Sequence, residues 1–193
     1  MYSDLMNLGT NVDFVNRVIF AVEKFCTYVQ GEATDVTNHA MRLNWALLAM
    51  ENPQSAAVKL IPVVLQNTTV QAQLGAIADA DVQSAVESAI VTTINATPSY
   101  NDIFAVASDA VFQHRLQIAV AKFASYVLGE APSTPNHANR YNWAKNAITS
   151  SVGVANSIAI AVCLDSNVSG ALTGVSDASL QSAAEAQINT LFL

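Results

Sequence analysis

The chain contains itself twice. A shift of 98 positions lays residues 1–95 over residues 99–193 without a gap, and about a third of the paired residues are identical. The densest stretch pairs Phe14–Ala46 with Phe112–Ala144, FVNRVIFAVEKFCTYVQGEATDVTNHAMRLNWA against FQHRLQIAVAKFASYVLGEAPSTPNHANRYNWA. Solenoid repeats recur at 20–50 residues, so a period this long predicts that each copy holds a small core of its own. The expected division is one unit over 1–95, a linker at 96–98 (Ala96-Thr97-Pro98) and a second unit over 99–193.

Glycine (7) and proline (5) are scarce, which suits helices throughout. Phe14, Val18, Ala21, Val22, Phe25 and Val29 recur at helical spacing, as do Phe112, Leu116, Ala119, Val120, Phe123 and Val127. Gly31 and Gly129 are expected to end these helices as C-terminal cap glycines, and Thr134-Pro135 to start the next one, with Thr as cap and Pro in the first turn. Further helices are predicted through NHAMRLNWA and NHANRYNWA, over Ala56–Leu65 and Val154–Cys163, and from Asp79 and Asp177. Asn67 and Asp165 are expected to open loops, and Tyr2–Leu8 and Tyr100–Val106 to add a short helical turn. No strand alternation is evident. The fold class expected is all-α, two tandem copies of a roughly four-helix bundle unit.

Only 12% of residues are charged while 52% are hydrophobic, against about 25% and 45–50% in ordinary soluble domains. Each unit is also near the size at which a lone core is marginal. Both points lead to the expectation of surface buried against other subunits, hence a homo-oligomer. No apolar run reaches the ~18 residues a membrane span needs, and the start MYSDLMNLGT lacks the pattern of a signal peptide, so no membrane partner is expected. Cys26 and Cys163 are not repeat-equivalent and read as small core residues rather than a bridge. A net charge of −7 argues against sequence-specific nucleic-acid binding.

Six of the eight basic residues fall at equivalent positions, Arg17 with Arg115, Lys24 with Lys122, and Arg42 with Arg140. Asp4, Glu32, Asp79 and Glu87 are matched by the acids Asp102, Glu130, Asp177 and Glu185. A pair of basic edges for an acidic partner is one reading; intramolecular ion pairing, with the long stems covering apolar surface, is the preferred one. The most chemical-looking cluster is Asn38, His39, Arg42 and Trp45, which returns as Asn136, His137, Arg140 and Trp143. A catalytic reading would make His39 a general base oriented by Glu32. The structural reading is preferred: Asn38 or one of its neighbours caps a helix, His39 bonds the preceding loop, and Trp45 packs in the core with its N–H satisfied. One histidine per cluster does not make a metal site, and His114 is expected at the surface. No catalytic, cofactor or metal residue is assigned, and the paired basic residues, Glu32, Glu130, Asp79, Asp177 and the members of both clusters are read as structural tie-points.

The string T-N-H-x-x-R-x-x-W-A over Thr37–Ala46, followed by D-A-x-[VL]-Q-x-A over Asp79–Ala85, resembles a pattern of small helical virion structural proteins of tailed bacteriophages. The second copy repeats it over Asn136–Ala144 and Asp177–Ala183, with Pro135 in place of the threonine. Such proteins hold one copy of the unit, so the tandem arrangement departs from the pattern. The resemblance implies a non-enzymatic head–tail connector, adaptor or neck component. It would work as a ring against portal, capsid or tail proteins, and would be found in the virion after synthesis in the host cytoplasm. A capsid decoration protein is the alternative within that class. An enzyme or ligand binder using His39 and His137 is the alternative outside it.

Overall fold

A computed structural model describes residues 5–96 and 100–192. All regular structure among these residues is helical. The chain divides into two compact units, Met1–Asn101 and Asp102–Leu193. The expected linker residues Thr97 and Pro98, and Tyr2–Asp4 of the expected first turn, lie outside the described residues.

The first unit runs α1 (Leu5–Thr10), α2 (Val12–Gln30), α3 (His39–Glu51), α4 (Pro53–Val64), α5 (Thr68–Ala72) and α6 (Asp79–Ile94). Its centre is α2, which packs against α3, α4 and α6. The sequence explains why. Phe14, Val18, Ala21, Val22, Phe25, Cys26 and Val29 form a broad buried stripe along α2, and each fully buried Val or Phe there contributes about 1.5–3 kcal/mol. Asn11 starts the helix by accepting the Phe14 N–H through Oδ1 at 3.1 Å. Gly31 follows its last turn, with φ −98°. Gly31 thus ends α2 as the sequence leads one to expect, without left-handed backbone, and Gly129, with φ −92°, ends the equivalent helix of the second unit in the same way.

The second unit runs α7 (Tyr100–Ser108), α8 (Ala110–Leu128), α9 (His137–Thr149), α10 (Ser151–Cys163), α11 (Ser166–Ser169), a 3₁₀ turn at Leu172–Gly174, and α12 (Asp177–Thr190). Here α8 is central and meets α9, α10 and α12. Its buried stripe is Phe112, Leu116, Ala119, Val120, Phe123, Ala124 and Val127.

Two local expectations need correction. Asn67 and Asp165 do not open plain loops, because each caps a short helix. Asn67 Oδ1 accepts the N–H groups of Thr69 and Val70, at 2.9 and 3.3 Å, and Asp165 Oδ1 accepts that of Asn167 at 2.9 Å. Short polar side chains satisfy the orphan donors of a first turn even when the helix is only a turn long. Nor does Thr134-Pro135 begin α9. The helix starts at His137, after a turn in which the Thr134 carbonyl accepts the His137 N–H at 3.0 Å.

Candidate functional site: the buried carboxylate clasps

Glu32 leaves α2 one residue beyond Gly31, and the loop then turns so that the first turn of α3 faces back toward it. Position 42 lies one turn beyond position 39, so Arg42 and His39 share that face. Arg42 grips the carboxylate with two parallel bonds, Nε to Oε2 at 3.0 Å and Nη2 to Oε1 at 2.6 Å. The Glu32 side chain is 2% exposed and that of Arg42 12%, so the pair is closed off from water. The guanidinium also lies 5.2 Å from the Phe25 ring centroid, where the ring's negative face favours a cation.

His39 takes a lesser place. Its Nδ1 is 3.4 Å from Glu32 Oε2, longer than a well-formed N–H···O bond. Both carboxylate oxygens are already held by Arg42 at shorter range. The geometry that would orient His39 as a general base is thus given over to a fork-shaped ion pair.

The second unit builds the same clasp and extends it. Arg140 Nε donates to Glu130 Oε2 at 2.7 Å, and its Nη2 donates to Oε1. Its remaining terminal nitrogen donates to Asn189 Oδ1 at 2.7 Å. The guanidinium lies 4.9 Å from the Phe192 ring centroid and 5.7 Å from that of Phe123. Hydrogen bonding to Glu130 holds the Arg140 pKa above its ordinary value despite the opposing effect of burial. His137 does not join the clasp. Its Nδ1 is buried without a hydrogen-bond partner, and its ring lies 5.8 Å from that of Tyr141.

Asn38 and Asn136 precede α3 and α9, but neither caps through its side chain. Both adopt left-handed backbone, with φ 61° and 55°, a region asparagine tolerates better than most residues. The side chains instead tie the loop to the end of the unit. Asn38 Nδ2 donates to Asn95 Oδ1 at 2.5 Å, and Asn136 Nδ2 donates to the Phe192 carbonyl. The capping expectation therefore gives way to a backbone turn closed by a long-range bond.

The other tie-points are simpler. Arg17 Nε donates to Asp79 Oδ1 at 2.5 Å and its Nη2 to the Ile77 carbonyl at 2.6 Å, pinning the start of α6 to α2. Arg115 repeats both bonds with Asp177, at 2.7 Å, and with the Val175 carbonyl. Lys24 reaches the Gln83 amide oxygen at 2.7 Å rather than a carboxylate. Lys122 has no matching bond to Gln181, which donates to Glu185 instead at 2.9 Å. Trp45 packs edge-on to Phe25 with centroids 5.9 Å apart. Trp143 meets Phe123 at 5.8 Å and Phe192 at 5.7 Å. His114 is exposed.

Sequence reasoning missed Asn95, Asn189 and Phe192 as partners. They sit at the ends of the units, where the copies diverge (Ile94 against Phe192), so comparing the copies conceals them.

Cys26 and Cys163 are free and buried. Burial pushes the Cys26 thiol up to about 11 and the Cys163 thiol up to about 12. Among the described residues no group of three or more His, Cys, Asp or Glu side chains could hold a metal ion, and no single helix is long and apolar enough to cross a membrane. Comparison of the chain with protein-family models, curated proteins and solved structures returns no match.

Proposed function

We propose that this chain is a non-enzymatic virion structural protein of a tailed bacteriophage, a head–tail connector, adaptor or neck component that assembles as a ring. The virion part rests on the resemblance of the T-N-H-x-x-R-x-x-W-A and D-A-x-[VL]-Q-x-A strings. The assembling part rests on one structural observation. On α2 and α8 a stripe of apolar residues around a lysine stands in the open in both units: Phe20, Lys24 and Tyr28, and Ile118, Lys122 and Tyr126. Phe20 and Tyr28 are 62% and 61% exposed, and Ile118 and Tyr126 are 43% and 66%. The two copies differ at about two thirds of their positions, and polar replacement here would cost the core nothing. Retention of a large apolar stripe on an outward face supports its burial against a neighbour. The unit-specific exposed residues Leu47 and Leu48, where the second unit has Lys145 and Asn146, support a further contact made by the first unit alone.

Light scattering on the purified chain, with electron microscopy of the same sample, tests assembly; mass spectrometry of purified particles tests the virion assignment. A chain that stays monomeric at high concentration and is missing from particles defeats the proposal. Copy number per particle separates a connector, present as one ring, from a decoration protein spread over the shell.

A second reading, a small-ligand binder, is favoured by His137 at the start of α9, whose Nδ1 is buried without a hydrogen-bond partner. Its test is His137→Gln in the full chain. A binder loses a ligand-dependent signal while keeping its fold, whereas a structural histidine changes stability alone.

A further inference from the structure

We infer that the docking of the short first helix of each unit is coded by side-chain size, so that each unit accepts its own helix and rejects the other's. In the first unit α1 buries Leu5 and Leu8 and brings Gly9 against α4. A Cβ added at Gly9 would lie 2.9 Å from Leu65 Cδ1 and 3.3 Å from Ile61 Cγ2. The first distance is closer than carbon atoms pack, since their optimum is about 3.5–4.0 Å. Leu65 is 2% exposed, so it cannot swing into solvent, and Ile61 is stiff at its branched Cβ. The backbone at Gly9 is helical and does not need glycine. Glycine is there for space.

The second copy changes all three positions together. Gly9 becomes Ala107, Ile61 becomes Ala159 and Leu65 becomes Cys163, and Ala107, Ala159 and Cys163 are all buried. The helix gains a methyl group, while the two positions that correspond in the repeat to the ones Gly9 faces lose volume. Ile103 and Val106 occupy the places of Leu5 and Leu8 and are buried likewise. The two wrong pairings are penalised in opposite ways. The α7 sequence placed against Ile61 and Leu65 would press the Ala107 methyl into Leu65, while the α1 sequence placed against Ala159 and Cys163 would leave a void. Both overpacking and cavities destabilise a close-packed interior.

A tandem duplication needs such a device, because two similar helices and two similar grooves on one chain invite exchange, within a molecule or between copies. The inference stands whether or not the chain forms a ring.

The experiment compares four full-length proteins: wild type, Gly9→Ala, the pair Ile61→Ala with Leu65→Cys, and the triple variant that gives the first unit the second unit's code. In the wild-type background the overpacking caused by Gly9→Ala is expected to outweigh the helix-propensity gain of alanine over glycine and to lower Tm by a few degrees, about 4 °C. In the Ile61→Ala/Leu65→Cys background Gly9→Ala is expected to leave Tm unchanged or raise it. An equal loss in both backgrounds overturns the size code. Each protein is then unfolded in denaturant and refolded at high concentration, and its mass is compared with that before unfolding. Wild type should return to its starting mass, whereas the triple variant, with the same code in both units, should add a species of doubled mass. A triple variant that refolds as cleanly as wild type overturns the exclusion of exchange. Ring assembly is read separately, from the starting mass of wild type.

Discussion

The two units carry the same tie-points on the same scaffold, yet they close differently. In the first, Arg42 holds Glu32 and lies over one aromatic ring, and the end of α6 contributes a side chain, Asn95, to Asn38. In the second, Phe192 replaces Ile94 and does three things together. It packs edge-on to Trp143, lies against Arg140, and offers its backbone carbonyl to Asn136. Identical residues in the two copies are thus satisfied by different partners. The duplication preserves the donors and the buried carboxylates, while the groups that complete them have changed with the local packing. Gly9, Ile61 and Leu65 against Ala107, Ala159 and Cys163 teach the same lesson in the core, where the second unit has a larger residue on the short helix and smaller ones at the two positions matching Ile61 and Leu65.

The largest test of this comparison is removal of the clasping arginines. Arg42→Met and Arg140→Met each leave a buried carboxylate without its counter-charge, which costs about 3–5 kcal/mol. Arg140→Met should cost more, because Asn189 and Phe192 lose a partner as well. Urea titrations of the two variants measure the difference, and equal losses would show that the additional contacts of Arg140 contribute nothing net.

Next come the left-handed asparagines. Alanine at position 38 or 136 meets the left-handed backbone penalty of about 1–2 kcal/mol and loses a long-range bond. Asn38→Gly and Asn136→Gly remove only the bond and should recover part of the stability. Glycine variants no better than alanine would show that the bond, and not the backbone angle, is what asparagine supplies.

The buried thiols give a pH test. Their folded-state pKa values of about 11 and about 12 lie above the ordinary 9.0. Their contribution is therefore complete below the unfolded value and declines as pH rises from about 9 toward 11. Cys26→Ala, which installs the residue of the second unit, should flatten part of that decline in denaturation curves between pH 8 and 10.5. A curve unchanged by the substitution would assign the alkaline loss to other groups.

The smallest effects belong to the outer ion pairs. Asp79 and Asp177 side chains are 89% and 82% exposed, so Asp79→Asn and Asp177→Asn should each cost no more than about 1 kcal/mol, and by similar amounts. A marked difference between these two would mean that the pairs are not equivalent despite matching geometry.

Much of the fold could be read from residue order. The α2 and α8 stripes follow from apolar spacing, the starts of α6 and α12 from Asp79 and Asp177, and the unbridged thiols from Cys26 and Cys163 falling at unmatched apolar positions. These are local properties, set by helical periodicity and by which side chains water rejects. The candidate site was legible only as a set of names. Glu32, His39 and Arg42 stood close in sequence, but spacing could not say whether the carboxylate would face the histidine or the guanidinium. That choice depends on the path of the loop from Gly31 to Asn38, where a left-handed asparagine redirects the chain, and on the angle at which α3 crosses α2. The closing partners Asn95, Asn189 and Phe192 lie 49 to 57 residues from the groups they satisfy. Only packing of the last helix of each unit against its first long helix brings them near. Periodicity and burial, then, were determined by the sequence itself, because each is a property of neighbours along the chain. Which buried charge meets which partner was decided by tertiary structure, because hydrogen bonds act over about three ångströms and helix positions must be set to within that distance before any pairing exists.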